Sequence, residues 1–270
     1  RGFELGGAGF IVEPERACEL GLGKVEDLEN HIRPYRNGRD IAQHSRDVMV
    51  IDLHGIEKEE VRQRFPAVYQ HLSETVKPER QQNRTKRLRE KWWLHRRSRD
   101  QLRDAIQDLD RFIVTIETSK HRFFQFLPAK IRPDNKLVVF ALEDAYFLGV
   151  LSSRIHMTWT LAAGGRLEDR PVYTKSECFD PFPFPAVTKH QKQTIRDIGE
   201  QLDQHRKERL DANEDLTMTA LYNVLKKEQS EKKLTDDERE IHEKGLVGVL
   251  GELHDELDAA VARAYGWPPG

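Results

Sequence analysis

Between Leu148 and Pro185 the chain reads LGVLSSRIHMTWTLAAGGRLEDRPVYTKSECFDPFPFP, a string that no single regular element can hold. Its first part has helical spacing. Leu148, Leu151, Ile155, Trp159 and Ala162 recur at intervals of three and four and make one apolar stripe, and Asp144 stands ahead of them as an N-cap. Gly164-Gly165 ends the helix, the usual employment of glycine at a helix end. The residue before a proline is driven out of the helical region, so Arg170, preceding Pro171, is extended. In an extended chain alternate side chains point the same way, which puts Glu168, Arg170 and Val172 on one face. The closing run, Asp180–Pro185 (DPFPFP), cannot be helical, and its aromatics are expected to pin the loop to the core. A stiff helix thus feeds a charged loop held by an aromatic clamp. His156 lies off the stripe and is expected as a surface or hydrogen-bonded histidine.

The charged loop has a definite chemical capacity. A guanidinium can bond the O6/N7 edge of guanine in a bidentate way, and a carboxylate can accept from cytosine N4. Glu168, Asp169 and Arg170 are suited to reading base edges. An ordinary salt-bridged β-hairpin accounts for the same residue types equally well.

The rest of the chain alternates strand-like and helix-like stretches, which indicates a mixed α/β domain rather than a bundle. Gly6, Gly7 and Gly9 precede a strand-like Phe10–Val12, the wrong order for a phosphate-cradling loop, and fit a plain turn; Glu13–Leu22 follows as a helix with Pro14 near its start. Val48–Leu53, Phe112–Ile116 and Lys136–Leu142 read as strands. Glu57–Thr75 reads as a helix that Pro66 kinks or restarts. Asn37-Gly38 marks a turn among arginines, where Arg36 and Arg39 are candidates for a polyanion. From Lys77 to Arg103 the sequence carries 11 Lys and Arg against 3 Asp and Glu around Trp92, Trp93 and His95. At least one tryptophan is expected in the core; Arg84, Lys86, Arg87, Arg89, Arg96, Arg97 and Arg99 then remain as a phosphate-facing surface.

After Val187 the character changes. Gln191–Leu210 and Leu216–Leu225 read as helices, Thr235 with Glu238 forms a capping box, and an apolar stripe runs from Leu246 to Val261. From Glu200 to Asp258 there are 17 Asp and Glu against 9 Lys and Arg. The expected fold class is therefore α+β: a mixed α/β domain over residues 1–186 and an all-helical domain over 187–270.

Composition excludes several classes. Two cysteines, Cys18 and Cys178, support neither a disulfide framework nor a cysteine zinc site and suit a cytoplasmic location. No apolar run reaches the roughly 20 residues that span a bilayer, so no membrane partner is expected. Arg1 is not a natural start, and the expectation is a fragment. Activated nucleophiles, metal-ligand clusters, a P-loop, an NPPY-type motif and a PD…(D/E)xK constellation are all missing from the string, so a recognition module is expected and no catalytic or metal-binding residue is assigned.

Several strings, in order, carry a family resemblance: GAGFIV near Gly7, RPYRNGRDI near Arg33, KPER at Lys77, EKWWLHRRSR at Glu90, SKHRFF at Ser119, LSSRIHMTW at Leu151, GRLEDRPVYTKSECFDPFPFP at Gly165, LTMTALYN at Leu216 and LHDELDAAVARAYGW at Leu253. Together they resemble the C-terminal part of the MmeI-like (type IIL) restriction–modification proteins and related adenine-specific DNA methyltransferases. The resemblance implies a target-recognition domain followed by a helical domain, double-stranded DNA as partner, and an upstream N6-adenine methyltransferase domain using S-adenosylmethionine, with or without a nuclease further upstream. It places specificity determinants just after the G-R-L motif, at Glu168, Arg170 and Val172. Val172 departs from the family, where a basic residue is common, and Pro171 is also unexpected. The competing class is an RNA-binding or protein–protein adaptor module with no part in DNA modification.

Overall fold

The computed structural model describes residues 1–167 and 170–268, with Arg166 described by its backbone alone. The chain forms two compact units. One comprises residues 1–37, 45–108 and 128–135, the other residues 38–44, 109–127 and 136–270.

The first unit is built on a four-stranded sheet. Its central strands, Ile32–Arg36 and Met49–Ile51, run antiparallel; Ile11–Val12 extends the sheet on the Met49–Ile51 side. On the other side Arg132–Pro133 pairs in parallel with Tyr35 and Arg36, a contact that brings in a segment nearly a hundred residues away. Tyr35 Oη donates to Asp134 at 2.5 Å and fastens that segment. Helices Lys58–Arg64 and Pro66–Thr75 meet at Phe65, so Pro66 restarts the helix as expected: its ring fits the first helical position, where an N–H has no partner to lose. Phe10, Ile32, Val50, Phe65, Val68, Leu72, Trp92 and Trp93 belong to one buried cluster.

A carboxylate sits in the middle of this unit. Asp52 is 3% exposed and takes both Nη groups of Arg103 at 2.7 and 2.8 Å, plus Nε of Arg132 at 3.0 Å. Phe3 lies against both guanidiniums, 4.6 and 5.5 Å from its ring centre. Burial pushes the Asp52 carboxyl up, but the hydrogen bonds from Arg103 and the charges of both arginines outweigh it and hold the group well below the usual carboxylate range.

The second unit has a three-stranded sheet with Arg111–Ile116 in the middle, flanked by Gln125–Pro128 and Leu137–Phe140. Helices Ala145–Ser152 and Arg154–Ala163 follow, then a short two-stranded hairpin; from Lys189 on, helices Lys189–Ala212, Met218–Gln229, Asp236–Gly245 and Val247–Ala264 make up the described structure alone. Caps set several of these ends. Asp144 accepts from the Tyr146 N–H, and Thr188/Gln191 and Thr235/Glu238 form capping boxes. Helices Ala145–Ser152 and Lys189–Ala212 cross at two glycines: a Cβ on Gly199 would lie 2.5 Å from the Ala145 carbonyl oxygen, and one on Gly149 2.7 Å from the Ile195 side chain. Asp144 locks the same crossing by accepting from Arg196 Nε and Nη2, both at 2.8 Å.

The stripe from Leu148 to Ala162 is not one helix. Ser153 is extended (φ −71°, ψ 154°); its hydroxyl donates to the Val150 carbonyl at 2.7 Å and accepts from the His156 N–H. Serine competes locally for backbone groups, and here it ends one helix and caps the next. The second helix is thereby rephased. His156 turns inward and is fully buried, while Leu161 is 51% exposed.

Candidate nucleic-acid interface

The basic run in the first unit sorts its side chains in two directions. Trp92 and Trp93 are both core, 5% and 4% exposed; Trp93 Nε1 donates to the Ile56 carbonyl at 3.0 Å, and Trp92 packs edge-on against Trp93 and Tyr69. Neither ring is placed to stack on a base. Arg80 also points inward. Its Nη2 donates to the carbonyls of Leu5 and Leu94 at 2.7 and 3.3 Å, while Nε and Nη1 have no hydrogen-bond partner among the described residues. Burial lowers its pKa, and Arg87 and Arg96 add to that lowering.

Arg103 is committed to Asp52, and most of the other cations face out. Arg84 and Lys86 are exposed, Lys86 lying 3.6 Å from Glu90. Arg96 and Arg97 reach the two oxygens of Glu4 at 3.2 and 3.0 Å yet stay 57% and 64% exposed. One carboxylate shared by two arginines leaves a net positive charge in water. Arg87 donates to the Arg96 carbonyl at 2.7 Å, and Arg99, in the left-handed region at φ 58°, donates to the Gly2 carbonyl at 3.0 Å. Arg1, Arg87, Arg96, Arg97 and Arg99 line an open hollow of about 620 Å³, with Asp100 as its acidic member. Such a hollow concentrates anions. Arg36 is different: it is 17% exposed and engaged by Asp47 at 2.9 Å. Arg39, which belongs to the second unit, is exposed and donates to Gln43 at 3.1 Å.

In the second unit the loop after the glycine pair is a hairpin. Arg166–Leu167 pairs antiparallel with Arg170–Pro171, with Leu167 opposite Arg170. Arg170 is exposed and Val172 half-buried; Glu168, with Asp169, lies outside the described residues. The base of the hairpin is fixed through backbone atoms. Val172 N–H donates to the Gly165 carbonyl at 2.9 Å, and Tyr173 N–H to the Glu117 carbonyl at 2.7 Å. A Cβ on Gly164 would lie 2.7 Å from the Thr160 oxygen and 2.8 Å from the Val172 oxygen, so the close turn there requires glycine.

Arg122 binds the same base from beneath. It donates to the Pro171 carbonyl at 3.0 Å, to the Glu117 carbonyl at 3.3 Å, to Thr115 Oγ1 at 3.1 Å and to the Ile116 carbonyl, and its guanidinium lies 5.3 Å from the Tyr173 ring centre. These acceptors are all neutral. Burial pushes its pKa down to about 10, which leaves it charged at neutral pH. Tyr173 Oη meets His156 Nε2 at 3.0 Å, and His156 packs edge-on against Phe182 at 4.3 Å. Burial pushes the tyrosine up and, with Arg122 adding, the histidine down to about 3, so both are neutral. The aromatic clamp therefore holds the hairpin through His156 and Tyr173. Sequence reasoning did not single out Arg122 or Tyr173; the SKHRFF and PVY strings mark their places without showing their contact.

Comparison with known proteins bears on this geometry. The family model described as "MmeI, target recognition domain" matches residues 5–186. DNA methyltransferase A of Bacillus subtilis (strain 168) is 28% identical over 159 residues, which are 57% of this chain and 15% of that protein. The solved structure of the type IIL restriction–modification enzyme MmeI in complex with DNA superposes with a TM-score of 0.72 at 18% identity, covering 98% of this chain and 32% of that one. The chain spans under a third of the structural relative and a smaller share of the curated one. With the family model covering more than half of its length, the chain belongs to the MmeI target recognition domain family.

Proposed function

We propose that this chain is the double-stranded DNA recognition module of an adenine-specific (N6) DNA methyltransferase within a restriction–modification enzyme. Residues 1–186 carry recognition and 187–270 form a helical C-terminal domain. Arg170, Glu168 and Val172 read base edges, and Arg36, Arg39, Arg84, Lys86, Arg87, Arg96, Arg97 and Arg99 hold backbone phosphates. S-adenosylmethionine belongs to an upstream methyltransferase domain, the module's partner in the same polypeptide; no residue of this chain is assigned to it. Among the described residues no helix is long and apolar enough to cross a membrane.

The observation that carries the proposal is the hairpin, in a chain of this family, that offers an exposed guanidinium from a base fixed by backbone hydrogen bonds and a buried arginine. A base reader must be held still, because a loosely placed guanidinium discriminates poorly between base edges. The test is to map modified adenines in DNA exposed to the full-length protein. Arg170→Ala is expected to relax the recognised sequence at one base pair. A protein that modifies no adenine, or an Arg170→Ala variant with an unchanged recognition sequence, would overturn the proposal.

A further inference from the structure

The most exposed large apolar side chain among the described residues is Leu167, at 55%. It is placed where a polar side chain would be expected on a solvent-facing hairpin. Its register partner is Arg170. Residues directly opposite in an antiparallel pair project to the same face, and so do residues two apart along one strand. Leu167, Arg170 and Val172 therefore share a face, with the guanidinium between a leucine across the ladder and a valine along it. Hydrogen bonds from the backbone and from Arg122 fix the strand that carries Arg170, so these neighbours keep their spacing.

An arginine flanked by apolar groups matches the edge of a base-pair step in one respect that a phosphate-gripping surface does not. In the major groove thymine presents an O4 acceptor and a C5 methyl group, and the methyl is read by apolar contact. We infer that Leu167 is a specificity-determining residue that packs on the C5 methyl of a thymine next to the base pair contacted by Arg170. The inference rests on the DNA-recognition reading above and deepens it: the recognised sequence contains a thymine adjacent to the base pair that Arg170 reads.

The test separates the two. Using the full-length protein, the recognised sequence is defined first, and the base pair assigned to Arg170 is the one relaxed by Arg170→Ala. Duplexes are then made with deoxyuridine replacing each thymine in turn, which deletes only the methyl group. One thymine beside the Arg170 base pair should show binding weakened about four-fold on loss of its methyl, the factor corresponding to one buried methylene at about 0.8 kcal/mol. Leu167→Ala should bind the thymine and deoxyuridine duplexes equally. Should Leu167→Ala fold poorly, Leu167→Asn serves, and indifference of the wild-type protein to uracil overturns the assignment without any variant. If no thymine flanks the Arg170 base pair, if wild type is indifferent to uracil there, or if Leu167→Ala keeps the full methyl preference, the assignment of Leu167 is wrong even though Arg170 reads a base. If Arg170→Ala relaxes nothing, the underlying reading fails and this inference falls with it.

Discussion

Arg122 donates to the carbonyl oxygen of Pro171 at 3.0 Å, joining a strand-end loop to a hairpin 49 residues further along the chain. Pro171 has no N–H and so offers the ladder only its oxygen, and that oxygen is where the arginine and the Ser119 N–H converge. Arg122→Gln removes the charge and most of the donors while the Ile116, Glu117 and Pro171 carbonyls stay in place. Leaving buried acceptors unmet costs about 1–3 kcal/mol. The expected outcome is a lowered unfolding midpoint and faster amide exchange at Val172 and Tyr173. Exchange unchanged at those amides would show that the hairpin does not depend on Arg122.

Arg87 and Arg97 belong to the hollow whose charge is incompletely met by Glu4 and Asp100. Each phosphate contact releases condensed counterions, so each lost contact should reduce the slope of log K against log salt by about 0.9. Arg87→Ala and Arg97→Ala are expected to weaken binding to every duplex alike and to flatten this slope, leaving the recognised sequence unchanged. Titrations of matched and unrelated duplexes at several salt concentrations provide the check. A loss confined to the matched duplex would remove these residues from the phosphate-binding set.

Local chemistry was legible in the sequence, and long-range partnership was not. Pro66, Asp144, Thr188 and Thr235 mark helix starts by what their side chains and rings do to adjacent backbone groups, and of these Pro66, Asp144 and Thr235 stand out in the sequence itself. The strand at Arg111–Ile116 was readable for the same reason: an apolar β-rich run between breakers. The Ser153 break was missed because the apolar spacing continues across it, and only the serine's two hydrogen bonds reveal the new phase. The parallel pairing of Tyr35 with Arg132 joins distant segments whose match depends on geometry that neither segment specifies. In the basic run, residue type could not separate Arg80, wholly covered and bonded to Leu5, from exposed Arg84 four residues on. An arginine's stem packs and its head pairs, so its side chain can face either way.

Both tryptophans being core makes a stability prediction in place of a binding one. Trp93→Ala should destabilise the protein by about 3–5 kcal/mol through lost burial and the unfilled space. Trp93→Phe should cost less, keeping the ring but abandoning the bond to the Ile56 carbonyl. Denaturant titration measures both. A Trp93→Ala variant with wild-type stability and impaired DNA binding would reverse the assignment.

Two sets of titratable groups give acid sensitivity in separate pH windows. His156 is held down to about 3 against an unfolded value near 6.5, so the unfolded chain binds its proton first. The stability it supports is fully present above about pH 6.5 and is lost progressively as pH falls toward 3, amounting to roughly 4–5 kcal/mol at the limit. His254, also held down to about 3 by burial, contributes with the same sign in the same window. Asp52 and Asp144 are depressed carboxylates; their contribution is present above about pH 4 and disappears only as pH falls further, through their folded pKa values. His156→Gln should therefore reduce the slope of stability between pH 6.5 and 4 without abolishing it, since His254 and the buried His95, also held down by burial, remain, and should leave the steeper loss below pH 4 in place. Asp52→Asn should act first on the lower window, lowering stability at neutral pH by breaking up the Arg103 and Arg132 pairing; it also removes the carboxylate 3.8 Å from buried His95 that offsets part of the burial penalty on that imidazole, so the histidine window should steepen. Unfolding free energies of both variants across pH 3 to 7.5 decide the matter: an undiminished slope in His156→Gln would mean that His156 takes up its proton as readily in the folded protein as in the unfolded chain, and that burial does not keep it neutral.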